Sequence, residues 1–120
     1  MTLEECYAAM GGDYADVIGR LRSEAFVQKF ILKFVDGKDH AELHAALAEG
    51  RTQDAFRAAH TIKGVSSNLG MTELYNASSQ LTEKLRDGVQ RDVSAELAAV
   101  DASYEKTLNA IAQFRSDNNL

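Results

Sequence analysis

The chain predicts an all-α fold, an antiparallel up-down four-helix bundle preceded by additional short helices. Two observations carry this. The 120 residues include no Pro and no Trp and are rich in Ala, Leu and Glu, all good helix formers. Apolar residues also recur at spacings of three and four along several stretches, separated by short breaks that contain Gly. Short breaks between amphipathic helices make sequential helices antiparallel neighbours. A chain of 120 residues suits one domain with a single core. Residues 1–36 are expected to flank the bundle and residues 39–115 to form it.

Thr2 with Glu5 reads as a capping box that opens a short helix to about Ala9, broken by Gly11-Gly12. Asp13 can cap a second short helix through about Gly19, and Ser23 a third to about Val35. The third carries Phe26, Val27, Phe30, Ile31 and Phe34, more apolar surface than one face needs. Core filling is the favoured use of that surface; one or two of these residues could serve docking instead. Asp39 with Glu42 reads as another capping box, and its helix ends at Gly50. Thr52 opens a helix that Gly70 closes. Thr72 opens the next, with Leu74, Ala77, Ser78, Leu81 and Leu85 as its buried stripe and Gly88 as its end. The last helix spans about Asp92 to Phe114, with Leu97, Val100, Tyr104, Leu108 and Ile111 facing inward. The helices starting at 39, 52, 72 and 92 form the four-helix core.

Composition excludes several classes. No run of apolar residues is long enough to span a membrane. The acidic start, Glu4 and Glu5, does not read as a signal peptide. The single cysteine, Cys6, rules out an intrachain disulfide, suits the cytoplasm, and is expected to be a buried small hydrophobe. A net charge of −5 with scattered basic residues argues against nucleic acid. A monomer is the expected state.

The segment from Ala59 to Gly70 carries the chemistry. At about 100° per residue, Lys63 lies about 60° from His60 and Gly64 about 40° to the other side. Ser67 lies about 20° away, and Phe56 about 40°. Ala55, Ala58, Ala59, Ile62, Val65 and Leu69 fall on the opposite face. The imidazole therefore points away from the core, with an ammonium one turn on and a gap in the side-chain surface beside it. A neutral imidazole is a good nucleophile near pH 7 and can attack a phosphoryl group held on another protein. Lys63 can hold the phosphoryl oxygens during transfer. Gly64 costs helix stability, and close approach of a second protein would justify it. Arg57 with Lys63 makes a small positive spot suited to an acidic partner pocket. Phe56 packs under the adjacent helix or belongs to an apolar rim for docking. Ser67 is either neutral filler or a hydrogen-bond donor to the phosphoryl group.

His60-x-x-Lys63-Gly64, then Ser66, Ser67 and Leu69-Gly70, resembles the signature of histidine phosphotransfer (HPt) domains. Ala55-Phe56-x-Ala58-Ala59 before it, and Leu74 and Leu81 after it, match apolar positions of that family. The resemblance covers about residues 24 to 115 and implies a stand-alone phosphocarrier of two-component phosphorelays, without kinase activity of its own. His60 would carry a phosphoryl group between the aspartates of receiver domains in hybrid kinases and response regulators. Lys63 would clamp it and Gly64 would give clearance. No cofactor is implied, since the receiver supplies the Mg²⁺. The chain departs from the pattern at Thr82, twenty-two positions after His60, where many relatives have Gln or Glu. Thr82 is kept as a secondary site residue, with Ser79, Gln80 and Glu83 as possible substitutes. Two alternatives stand beside this reading: a phospho-accepting domain from a chemotaxis-type kinase, and a helical interaction module that transfers nothing.

His40 and His44, four apart on a helix, could share a metal ion. The sequence offers no clear further ligand, although Asp36 and Asp39 are near, so no metal site is assigned.

Overall fold

Local capping chemistry and a few left-handed glycines divide the chain into seven helices in a computed structural model that describes residues 1–120. These are α1 (Leu3–Met10), α2 (Tyr14–Leu21), α3 (Glu24–Phe34), α4 (Asp39–Ala48), α5 (Thr52–Asn68), α6 (Thr72–Leu85) and α7 (Ser94–Asp117). The Thr2–Glu5 capping box forms in both directions. Asp13 and Ser23 each accept a hydrogen bond from the third backbone N–H of their helices, at 3.0 and 3.3 Å.

One expected cap and one expected start differ, while α4 begins at Asp39 as expected. Asp39 is not an N-cap: Lys38 holds that place without a side-chain bond, and Asp39 already lies in the first turn of α4. The cause is the tight turn before it, where the Gly37 N–H bonds the Phe34 carbonyl. Helix α7 begins at Ser94, whose N–H and hydroxyl both donate to the Asp92 carboxylate at 2.9 and 2.6 Å.

Helix α4 packs on α5, α5 on α6, and α6 on α7, which gives the up-down four-helix bundle. Helix α1 lies along α7, and α2 touches both α1 and α3. The α1 residues Leu3, Cys6, Tyr7 and Met10 are buried in the same core cluster as the bundle's own apolar residues. Burial pushes the Cys6 thiol up to about 11, so it stays protonated near neutral pH. On α3, Val27 and Ile31 fill the core while Phe26 and Phe30 face outward.

The buried stripes of α6 and α7 are more polar than expected. On α6 they comprise Leu74, Ser78, Leu81, Thr82 and Leu85, and Ala77 is only half-buried. On α7 they are Val100, Ser103, Thr107, Ala110, Ile111 and Phe114; Leu97, Tyr104 and Leu108 are half-buried. Helix α7 is covered by α1 as well as α6, which turns a second face inward. Three of these buried hydroxyls are satisfied within their own helices. Ser78 donates to the Leu74 carbonyl, Thr82 to Ser78 and Thr107 to Ser103, at 2.6–2.8 Å.

The N-terminal helices hold the turn between α5 and α6. The fully buried Tyr7 hydroxyl donates to the Leu69 carbonyl at 2.6 Å. The Asp13 N–H donates to the Gly70 carbonyl at 2.8 Å, and the Glu73 N–H to the Gly11 carbonyl at 3.1 Å. Arg20 adds a bond to the Ser67 carbonyl at 2.8 Å. Tyr7→Phe leaves the Leu69 carbonyl without that donor inside the fold. It is expected to lower unfolding stability by about 1–3 kcal/mol in urea titrations.

Candidate functional site

His60 lies at the middle of the 17-residue α5 and is exposed. Ala55, Ala58, Ala59, Ile62 and Ser66, all buried, occupy the opposite face. The helical period therefore turns the imidazole outward, as the spacing predicts. The His60 ring stacks on Phe56 with centroids 5.8 Å apart and planes 18° from parallel. Phe56, half-buried, forms a shelf whose ring also lies 5.6 Å from the Arg86 guanidinium carbon of α6. Phe56 thus packs toward the adjacent helix and also borders His60.

Lys63 is half-buried and forms no ion pair, so its ammonium is free for an incoming anion. The nearest acid it influences is Glu83. That carboxyl is held below the ordinary range by its hydrogen bond from Arg86, with Arg86 and Lys63 charge adding to the effect. Arg57 is exposed and paired with Asp54 at 2.7 Å. The free positive charge beside His60 is therefore that of Lys63, with Arg86 at the rim.

Gly64 is exposed, and a Cβ built on it would meet nothing within 4 Å. Packing inside the chain does not demand glycine there. Ser67 is exposed at the end of the same face, and its hydroxyl forms no hydrogen bond within the chain. Its neighbour Ser66 is buried and bonds back to the Ile62 carbonyl at 2.7 Å.

The structure brings Phe56, Arg57, His60, Lys63, Gly64 and Ser67 onto one helix and its near edge, but not Thr82. Thr82 is fully buried, and its hydroxyl donates to the Ser78 carbonyl at 2.6 Å. It faces the bundle interior because α6 is packed between α5 and α7. Its place as a site residue is corrected: it supports the core. Glu83 and Arg86, ion-paired at 2.6 Å, reach the site from α6, Arg86 over the Phe56 ring and Glu83 within the influence of the Lys63 charge. Arg86 is absent from the sequence reading; its only sequence signal is the i, i+3 pairing with Glu83.

The site faces outward: His60, Gly64 and Ser67 are exposed, and the space beside Gly64 is open. A cavity of about 510 Å³ lies elsewhere, lined by Phe30, Phe34, Ile62, Val65 and Tyr104 among others, and does not include His60. No helix is long and apolar enough to cross a membrane. An exposed imidazole, a free ammonium and bare backbone can present a nucleophile to a pocket that a partner brings.

No curated protein and no solved structure matches the chain. The family model described as the Hpt domain matches residues 37–114, which run from just before α4 to near the end of α7. The matched segment contains the whole four-helix bundle up to Phe114, including the face that bears His60, and the chain belongs to the Hpt domain family.

Proposed function

We infer that the chain is a phosphocarrier, a single Hpt domain over residues 1–120 that relays a phosphoryl group through His60. The observation that carries this reading is the exposed His60 ring beside the unpaired Lys63 ammonium, on a bundle of the Hpt family. The donor is the acyl phosphate on the aspartate of a receiver domain. A ring nitrogen of His60 attacks phosphorus, a P–N bond forms, and the P–O bond to the aspartyl carboxylate breaks. The carboxylate leaves with its electron pair. Transfer to a second receiver reverses these bonds, so the direction is set by the partners. The receiver supplies Mg²⁺, and the chain itself needs no nucleotide.

Lys63 faces the charge that builds on the phosphoryl oxygens during transfer. Gly64 leaves room for the receiver's backbone, and Phe56 offers it apolar surface. Ser67, with a free hydroxyl on the same face, is a second donor to the phosphoryl group. Lys63→Ala is expected to slow transfer about tenfold or more with little change in melting temperature, in a rapid-quench assay with a phosphorylated receiver. The reading as a whole is tested by mixing the chain with a phosphorylated donor receiver and an unphosphorylated acceptor. Label should pass to the acceptor only when the chain is present. Transfer that ignores the chain would leave a helical interaction module as the alternative.

A further inference from the structure

The four-helix bundle has a seam remote from His60. Helices pack in the order α4, α5, α6, α7, so the α4–α7 seam lies across the bundle from the α5–α6 seam that borders His60. Three donor-bearing side chains meet there. His40 and His44, on successive turns of α4, both place Nε2 at 2.7 Å from one oxygen, Oδ1 of Asp101 on α7. One donor atom from each of the three lies within 4.8 Å of the others. The second carboxylate oxygen of Asp101 accepts no hydrogen bond, and no Lys or Arg pairs with this acid.

The ligand set is also held in place. The His40 ring lies flat on Tyr104, with centroids 4.1 Å apart and planes 9° from parallel, and Phe34 packs on the same Tyr at 5.6 Å. His44 meets His40 edge-on at 4.9 Å. The side chains of His40, His44 and Asp101 keep 24, 44 and 37% of their exposure, so the cluster is reachable from solvent and has room for water ligands.

We propose that His40, His44 and Asp101 form a binding site for a divalent first-row transition ion of the Zn²⁺ class, clasping α4 to α7. Two imidazoles and one carboxylate suit such an ion and not the all-oxygen preference of Ca²⁺ or Mg²⁺. Tetrahedral bonds of about 2.0–2.1 Å separate donors by about 3.3 Å, so the Nε2–Oδ1 distances open by about 0.6 Å on binding. Rotations of the exposed His44 and Asp101 side chains can supply that. Each imidazole then carries its proton on Nδ1 and offers Nε2 to the ion. Asp101, distant in sequence, completes the pair of histidines that alone did not make a site.

The test uses the tag-free full chain. Zn²⁺ is titrated by calorimetry and Co²⁺ by visible absorption, with melting temperature followed in parallel. The variants are His44→Ala, Asp101→Asn and, as a control at the third histidine, His60→Gln. One ion per chain, a higher melting temperature with Zn²⁺, and binding weakened about tenfold or more by His44→Ala and Asp101→Asn are expected. His60→Gln should bind as the wild type does. If Asp101→Asn does not fold, His44→Ala decides alone, since that side chain is among the more exposed of the cluster. Absence of saturable binding, binding that survives both variants, or binding lost in His60→Gln would overturn the proposal. The two imidazoles would then be hydrogen-bond donors to Asp101 and nothing more.

Discussion

His60→Gln is expected to abolish phosphoryl acceptance and to leave the fold unchanged. The side chain is exposed on α5, and its ring stacks on Phe56. No hydrogen bond or ion pair within the chain depends on it. Glutamine keeps a polar group of similar reach but has no nucleophilic nitrogen, because its amide lone pair is delocalised. Unfolding stability should therefore move by less than about 0.5 kcal/mol, the usual range for a surface substitution. Circular dichroism melts and a transfer assay on the same preparation separate the two effects. A variant that loses its cooperative melt would show that the histidine is structural, and the account of α5 would fail with it.

The second large effect concerns two glycines six residues apart with opposite reasons for being glycine. Gly70→Ala is expected to destabilise the protein by about 2–4 kcal/mol. Gly70 has φ of +66°, and a Cβ there would lie 2.9 Å from the Asp13 carbonyl oxygen and 3.1 Å from the Val17 Cβ. Both neighbours belong to the segment that clamps the α5–α6 turn, and one is backbone, so neither can yield cheaply. Gly64→Ala should instead stabilise by about 0.5–1 kcal/mol, because Gly64 is helical and a Cβ there meets open space. Gly64→Leu should keep that gain in part and yet weaken transfer, since its bulk occupies the space left for the receiver. Urea titrations read the first pair of effects, and transfer rates the last. Equal costs for alanine at both positions would contradict this division.

Much of this was legible because it is local. The caps at Thr2, Asp13 and Ser23 depend on residues three apart, and a histidine face depends only on helical period. The outward His60 and the inward Ala55, Ala59 and Ile62 follow from the same count. What escaped depends on neighbours far along the chain. Thr82 reads as a surface residue on a one-sided helix, yet α6 is packed on two sides and the hydroxyl donates to the Ser78 carbonyl one turn back. The Tyr7 bond to Leu69 joins residues 62 apart, and Asp101 lies 57 residues from His44. Arg86 enters the site only because the α5–α6 hairpin sets it over Phe56. The face that bears His60 was thus readable from one helix, while its rim, the clamp on the α5–α6 turn and the α4–α7 cluster required the folded chain.

The most direct measurement of the central claim is the position and chemistry of the label after incubation with a phosphorylated receiver domain. Wild type and His60→Gln are run together, and the product is exposed to acid and to base. Label is expected on the wild type alone, lost in acid and stable in base, with the phosphorylated peptide containing His60. Label that persists on His60→Gln, or a bond that is stable in acid, would contradict that claim.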